Sequence, residues 1–239
     1  MRDKLTWVWH DSQELLEPWN LQQELRHDKY RTANTLFFCL ESTGWQAATG
    51  KLCVRYARVC SAKVDIATLM IYPTASANYL PIFASEWLIV GSCCQRVILD
   101  IEPATVELSR LLRLNRTFVR LGERWHQHLP TALPLSEWFQ KYAQLWAIHS
   151  SCEMQKLALV RQAFREYLKS YINYVNKFLS RCVAGTDAPE VMEYKLHHAR
   201  NFPGYSFLCR VMGEEWTNEY LYKQHFGVVH EPISLRGAC

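Results

Sequence analysis

The stretch "LPIFASEWLIV" (residues 80–90) decides the fold, because its side chains alternate between two faces with a period of two. One face carries Ile82, Ala84, Glu86, Leu88 and Val90, and the other carries Phe83, Ser85, Trp87 and Ile89. This pattern predicts a β-strand in which Glu86 shares its face only with apolar side chains. Because an unpaired buried carboxylate is unstable, Glu86 needs either a hidden partner or a bound proton.

Four other segments share this character: they are short, rich in β-branched or aromatic residues, and bounded by Ser, Thr, Gly or Asn. With "ASEWLIVG" (84–91), the predicted strands are "NTLFFCLES" (34–42), "KLCVRYARVC" (51–60), "VDIATLMIYP" (64–73) and "QRVILDIEP" (95–103). The short connections between them favour an antiparallel meander.

Beyond Pro103 the apolar residues recur with the period of a helix. The predicted helices cover residues 108–130, 134–146, 153–183, 188–201 and 213–226. Strands followed by helices indicate an α+β domain with one antiparallel sheet. Since no repeat, low-complexity tract or linker divides the chain, we expect a single domain over residues 1–239.

Composition excludes several classes of protein. Hydrophobic residues make up 49% of the 239 positions, which is enough for a full core and excludes a disordered chain. The net charge of +4 is mild, which argues against a dedicated nucleic-acid binder but suits an anionic small molecule or an acidic protein. No segment approaches the roughly 20 apolar residues of a membrane helix. We expect a monomer in the cytoplasm, or in a plastid stroma, without a membrane or nucleic-acid partner.

Familiar catalytic motifs are absent from the sequence. It contains no phosphate-binding glycine loop, no H-E-x-x-H and no G-x-S-x-G, and its nine cysteines lack the spacing of a zinc site. The pairs "HQH" (126–128) and "HH" (197–198) do not place two imidazoles on one helical face. We therefore interpret these histidines as surface or hydrogen-bonded side chains.

Two charged features have structural interpretations. Asp100 lies near a strand end and before Pro103, where a carboxylate commonly accepts backbone N–H bonds in a turn. Arg161, Arg165 and Lys169 recur at helical i, i+4 spacing. We expect a solvated basic stripe there, the alternative being a docking surface for an acidic protein.

The order of several blocks resembles the ferredoxin-dependent bilin reductases. These blocks are "DIATLMIYP", "LPIFASEWLIVG", "VILDIEP" and "NFPGYSFLCRVMGEEWTNEYL". The likeness runs from about Lys51 to Phe226, and the phycoerythrobilin-forming and phytochromobilin-forming branches look most similar. It implies a three-layer α/β/α sandwich whose central antiparallel sheet carries helices on both faces. A bilin would lie between the sheet and the C-terminal helices.

The resemblance also implies the chemistry. No metal or flavin would be bound; reduced ferredoxin would deliver electrons singly, and the protein would supply protons in a radical mechanism. The family's strand acid, usually Asp, falls on Glu86, which makes Glu86 the main proton donor. Red chlorophyll catabolite reductase is similar in using Glu near this position. Basic residues would meet the bilin propionates and the acidic ferredoxin.

Other family positions carry different residues in this chain. A sheet position that is often His or Asn falls on Thr68, and two family arginines fall on Ile148 and His198. The second catalytic Asp, which usually precedes a proline, falls on Phe202. Phe cannot donate a proton, so His198 becomes the candidate for the second donor. We expect Thr68, Ile148, Asn201 and Phe202 to contact the substrate.

Three functions remain open at this point. The first is reduction of biliverdin or dihydrobiliverdin to a phycobilin. The second is reduction of another linear tetrapyrrole, such as a chlorophyll catabolite, or reduction at a different double bond. The third is a non-catalytic bilin carrier, in which Phe202 stacks on the ligand and Glu86 bonds the pyrrole N–H groups.

Overall fold

The structure, a computed structural model, describes residues 4–24, 30, 32–34, 38–74, 80–103, 107–130, 135–185 and 187–227. An eight-stranded antiparallel sheet forms its centre. The strands are β1 (Gln22–Gln23), β2 (Thr32–Asn34), β3 (Phe38–Gln46), β4 (Leu52–Ser61), β5 (Val64–Pro73), β6 (Ile82–Val90), β7 (Cys93–Glu102) and β8 (Ile148–Glu153). Their order is β1-β3-β4-β5-β6-β7-β8, with β2 also paired to β3.

The predicted meander is confirmed, since β3 to β7 follow one another as antiparallel neighbours. The first predicted strand began at residue 34, whereas β3 begins at Phe38, and residues 35–37 lie outside the described part of the chain. Sequence patterning missed β1, β2 and β8. In β8, "IHSSCE", polar residues occupy both faces, so its extended conformation follows from pairing with β7 rather than from alternation.

The described helices are α1 (Thr6–Leu16), α2 (Leu108–His126), α3 (Glu137–Gln140), α4 (Leu157–Phe178), α5 (Pro189–Arg200), α6 (Tyr205–Met212) and α7 (Glu214–Glu219). A π-helical turn, Tyr220–His225, follows α7. The predicted helix over 134–146 is only the single turn of α3, because the chain turns away after Gln140, and α1 and α6 were not predicted. None of the described helices combines the length and apolarity needed to cross a bilayer.

Helices cover both faces of the sheet, which confirms the three-layer α/β/α sandwich. The first core lies between one face and helices α1, α2 and α4. The second core lies between the other face and helices α5, α6 and α7. On β6, Phe83 and Trp87 enter the first core while Ile82 and Ala84 enter the second, as alternation requires. Trp87 is fully buried in the first core.

Ion pairs fasten α1 to α4. The guanidinium groups of Arg161 and Arg165 both donate to the buried carboxylate of Asp11, at 2.7 and 2.8 Å, and Arg165 also binds Glu14. Burial alone would raise the pKa of Asp11, but hydrogen bonds and charge from the two arginines lower it below its ordinary value. The basic stripe is solvated at Arg161, whose side chain is 48% exposed, but Arg161 and Arg165 also join two helices, which the sequence did not predict.

We expect Asp11→Asn to reduce the free energy of unfolding by about 2 kcal/mol near neutral pH, because charge-assisted hydrogen bonds are lost. A lowered carboxyl pKa stabilises the fold above the ordinary Asp value of about 3.9, and this contribution disappears as the pH falls through the folded-state pKa. Urea unfolding at neutral and acidic pH measures both effects. Glu14→Gln, at an exposed carboxylate, is the control; equal losses in the two variants would contradict the assignment.

Candidate active site

Strand register gathers four side chains into one row across the second face of the sheet. Thr68 on β5 lies opposite Glu86 on β6, Glu86 lies opposite Ile98 on β7, and Ile98 lies opposite His149 on β8. Directly paired residues point to the same face of an antiparallel sheet. This row, which we call the Glu86 row, forms the floor of a cleft.

Glu86 has a partner, so it is not an isolated carboxyl. Arg96 Nη1 donates to Glu86 Oε1 at 3.1 Å, and the two side chains are 38% and 27% exposed, respectively. The sequence left two alternatives for Glu86, a partner or a bound proton, and the structure shows a partner. Strand alternation alone missed Arg96 because its guanidinium reaches diagonally from the neighbouring strand.

The cleft has an inner and an outer part that share the middle of the sheet. The inner cleft has an empty volume of about 480 Å³ and the outer cleft about 940 Å³, both open to solvent. Both parts are lined by Glu86, Ile98, Trp138, Phe139 and Pro203. The inner part adds residues from α5 and the C-terminal turn, and the outer part adds Arg96 and His149. The site is thus a groove between the sheet, α3 and the C-terminal helices.

Aromatic rings form the wall opposite the sheet. The ring centroid of Phe139 lies 4.7 Å from His149, and that of Trp138 lies 5.6 Å from His198. Tyr194 packs still closer to His198, at 4.1 Å. Edge-on and tilted rings of this kind suit a flat conjugated ligand.

His198 lines the inner cleft as expected, but it is an uncharged imidazole. Burial lowers its pKa to about 3, and the neighbouring His197 and His225 add to this shift. Burial also lowers the pKa of His149 and of His225 to about 4 each. A neutral imidazole has no imidazolium proton to give, so this environment argues against His198 as the second proton donor.

Two buried acids of β7, Asp100 and Glu102, also belong to this face of the sheet. Asp100 accepts N–H bonds from Ile101 at 2.7 Å and from Gln144 at 3.4 Å, within the strand rather than in the predicted turn. Burial raises the pKa of both acids well above the ordinary range, and the proximity of Asp100 raises that of Glu102 further. Alternation from Ile98 could have placed both acids on the cleft face.

Phe202 separates the inner cleft from a neighbouring apolar pocket, and it lines both. Its ring lies 5.5 Å from His225 and 6.2 Å from Phe226. The position on which the family's Asp falls is therefore an apolar wall of the cleft in this chain.

Two expected substrate contacts lie outside the cleft. Ile148 is fully buried in the first core, because alternation on β8 sends it to the opposite face and brings His149 into the cleft instead. Asn201 is exposed at the end of α5, where its Nδ2 donates to the His197 carbonyl at 2.8 Å. Of the six residues singled out in the sequence, the structure brings together Glu86, Thr68, His198 and Phe202.

The paired histidines outside the cleft have backbone partners. His126 Nε2 donates to the carbonyl of Ala147 at 2.8 Å, and His197 Nε2 donates to that of Trp138 at 2.7 Å. In the described part of the chain, no group of three or more His, Cys, Asp or Glu side chains is arranged to hold a metal ion.

The fold of this chain is also found in a solved structure. The crystal structure of phytochromobilin synthase from tomato, in complex with biliverdin, matches with a TM-score of 0.78. The match covers 92% of this chain and 82% of that chain, at 16% sequence identity. At this identity the likeness establishes the common fold.

Two relatives are named phycoerythrobilin:ferredoxin oxidoreductase. The protein from Synechococcus sp. (strain RCC307) is 27% identical over 191 residues, which cover 74% of this chain and 71% of that protein. The protein from Prochlorococcus marinus is 23% identical over 177 residues, which cover 69% and 67%. The family model described as "Ferredoxin-dependent bilin reductase" matches residues 3–226, well beyond the range that began at Lys51. The chain therefore belongs to the ferredoxin-dependent bilin reductases, a family of oxidoreductases.

Proposed function

We propose that this protein reduces biliverdin or dihydrobiliverdin to a phycobilin, with Glu86 as the main proton donor. Each double bond that is reduced takes up two electrons, delivered singly by reduced ferredoxin, and two protons. The protein's task is to hold the tetrapyrrole and to deliver protons to defined atoms.

The position of Glu86 is the observation that carries this proposal. Its carboxyl group lies on the floor of the cleft, in the middle of the sheet, with Trp138 and Phe139 lining the same cleft. A flat ligand between floor and wall would place its conjugated rings over this carboxyl. Because Glu86 remains partly exposed, it can take a proton from solvent after each turnover.

Arg96 gives substrate binding a way to prepare Glu86 for proton transfer. In the free protein Arg96 donates a hydrogen bond to the carboxyl group of Glu86 and pairs with it. A propionate of the bilin offers Arg96 a second carboxylate, and the ligand would at the same time exclude water from the cleft. Both changes would leave Glu86 without its cationic partner and facing the ligand instead of water. Arg96 would thus bind the substrate propionate and, in the same step, give up its contact with Glu86.

We expect Glu86→Gln to bind biliverdin but to lose at least ~10²-fold in ferredoxin-driven turnover, the usual scale for removing an acid–base group. The amide is similar in size and polar, but it cannot supply the proton. Absorbance titration measures binding, and anaerobic assays with photoreduced ferredoxin measure turnover.

Glu123→Gln, at an exposed position of α2, is the matched control and should turn over like the wild type. Full activity of Glu86→Gln would refute the donor role. Biliverdin binding by the wild type without any reduction would instead support the bilin carrier.

We expect Arg96→Gln to weaken biliverdin binding about tenfold, because a charge-assisted contact to a propionate is lost. Biliverdin dimethyl ester, which has no free carboxylate, should bind the variant and the wild type equally well. Arg116→Gln, exposed on α2 of the opposite layer, serves as the control. Equal weakening for the acid and the ester would show that Arg96 does not bind a propionate.

A further inference from the structure

Glu102 lies at the far end of the inner cleft from Glu86. Its strand partner is Ile82, whereas the partner of Glu86 is Ile98, four residues earlier on β7. At about 3.3 Å per residue, the two rows are roughly 13 Å apart along the strands. Both carboxyl groups belong to the same sheet face and line the same cavity. Four linked pyrrole rings are long enough to reach from one carboxyl to the other.

The two oxygens of Glu102 differ in their surroundings. Oε1 accepts a hydrogen bond from the hydroxyl of Tyr194 at 3.0 Å, whereas buried Oε2 has no partner among the described residues. An orphaned buried oxygen is costly unless it carries a proton or meets a ligand. This oxygen belongs to a side chain that lines the substrate cavity.

No described cation pairs with Glu102. The nearby Lys195 is bound to Asp187 at 2.7 Å, and its ammonium lies over the ring of Tyr72 at 4.6 Å. Without a cation, burial favours the protonated carboxylic acid, and the adjacent Asp100 favours it further. The surroundings of Glu102 therefore favour a protonated carboxylic acid beside the cleft.

Four groups interact directly with this carboxyl: Asp100 of its own strand, Tyr72 of β5, Tyr142 after α3 and Tyr194 of α5. His198 and His225 line the same cavity. The tyrosines are neutral because burial raises their pKa above the ordinary value. Both histidines are neutral as well, since burial lowers their pKa to about 3 and about 4. None of these groups carries a positive charge that would hold Glu102 as a carboxylate.

We propose that Glu102 is a second catalytic acid, which protonates the tetrapyrrole at the end of the cleft remote from Glu86. This inference rests on the proposed function. After ferredoxin has delivered an electron, the O–H bond of Glu102 breaks and a C–H or N–H bond forms on the reduced pyrrole system. The carboxylate left behind keeps the hydrogen bond from Tyr194 and is reprotonated from solvent when product leaves.

The reaction consumes protons, and Glu86 and Glu102 would each deliver one at a different position along the tetrapyrrole. His198 cannot supply the second proton as an imidazolium, and Phe202 has none to give. Glu102 lines the same inner cleft as both of them. The second acid of this chain thus comes from the sheet and not from the segment after α5.

We expect Glu102→Gln to bind biliverdin normally and to lose at least ~10²-fold in turnover with photoreduced ferredoxin. Glu102→Asp, which keeps the acid, should retain at least about tenfold more activity than the Gln variant. Tyr194→Phe removes the hydrogen bond to the carboxylate product and should reduce turnover about tenfold. Glu215→Gln, exposed on α7, is the matched control.

Thermal unfolding tests whether Glu102 is protonated in the folded protein, without reference to activity. A carboxyl whose folded-state pKa is raised stabilises the fold fully below the ordinary Glu value of about 4.3, and this contribution is lost as the pH rises through the folded-state pKa. Gln has no proton to lose. The Tm of Glu102→Gln should therefore rise relative to the wild type between about pH 5 and pH 8.

The outcomes separate the two proposals. A wild-type protein that does not reduce biliverdin overturns the proposed function and this inference with it. If the wild type is active, three results would overturn the inference alone. The first is turnover of Glu102→Gln within about threefold of the wild-type value, and the second is an equal loss of turnover in the Gln and Asp variants. The third is a Tm difference between Glu102→Gln and the wild type that does not change across the pH range. If the Gln variant does not fold, unchanged turnover of Tyr194→Phe overturns it.

Discussion

The register of the central strands is the constraint on which the rest of the structure depends. Because side chains alternate, a slip of one residue on β6 would turn Glu86 into the first core and Trp87 into the cleft. Trp87 resists such a slip, since its ring packs edge-on against Phe164 at 5.1 Å and Trp7 at 5.5 Å. Packing in the first core therefore positions the chemistry on the opposite face of the sheet.

Burial determines the charge of the cleft. It drives carboxyl groups toward their protonated form and imidazoles toward their unprotonated form, so both kinds of group become neutral. Glu102 and His198 illustrate the two directions within one cavity. On the cleft floor, where water still reaches, Glu86 and Arg96 pair as ions. Neutral buried groups suit a conjugated apolar ligand, and an exposed ion pair suits its propionates.

Local patterning predicted most of the sheet and the large helices, because a period of two and a period of 3.6 are properties of the chain itself. It failed for segments whose conformation depends on contacts with distant parts of the chain. The strand β8 exists because β7 offers it hydrogen bonds, and α3 is a single turn that ends at Gln140. The same limitation affected individual residues: Ile148 faces the first core, and its neighbour His149 faces the cleft.

Local sequence patterns were enough to predict the antiparallel meander, the α+β class and the placement of Glu86 on one face of β6, since alternation is local. It also carried the blocks that resemble the bilin reductases. Only the tertiary structure decided that Arg96 pairs with Glu86, that His198 is neutral, and that Glu102 is a buried acid beside the cleft. The reason is physical: the protonation state of a side chain depends on solvent exclusion and on neighbouring charges, and both arise from segments distant in the sequence.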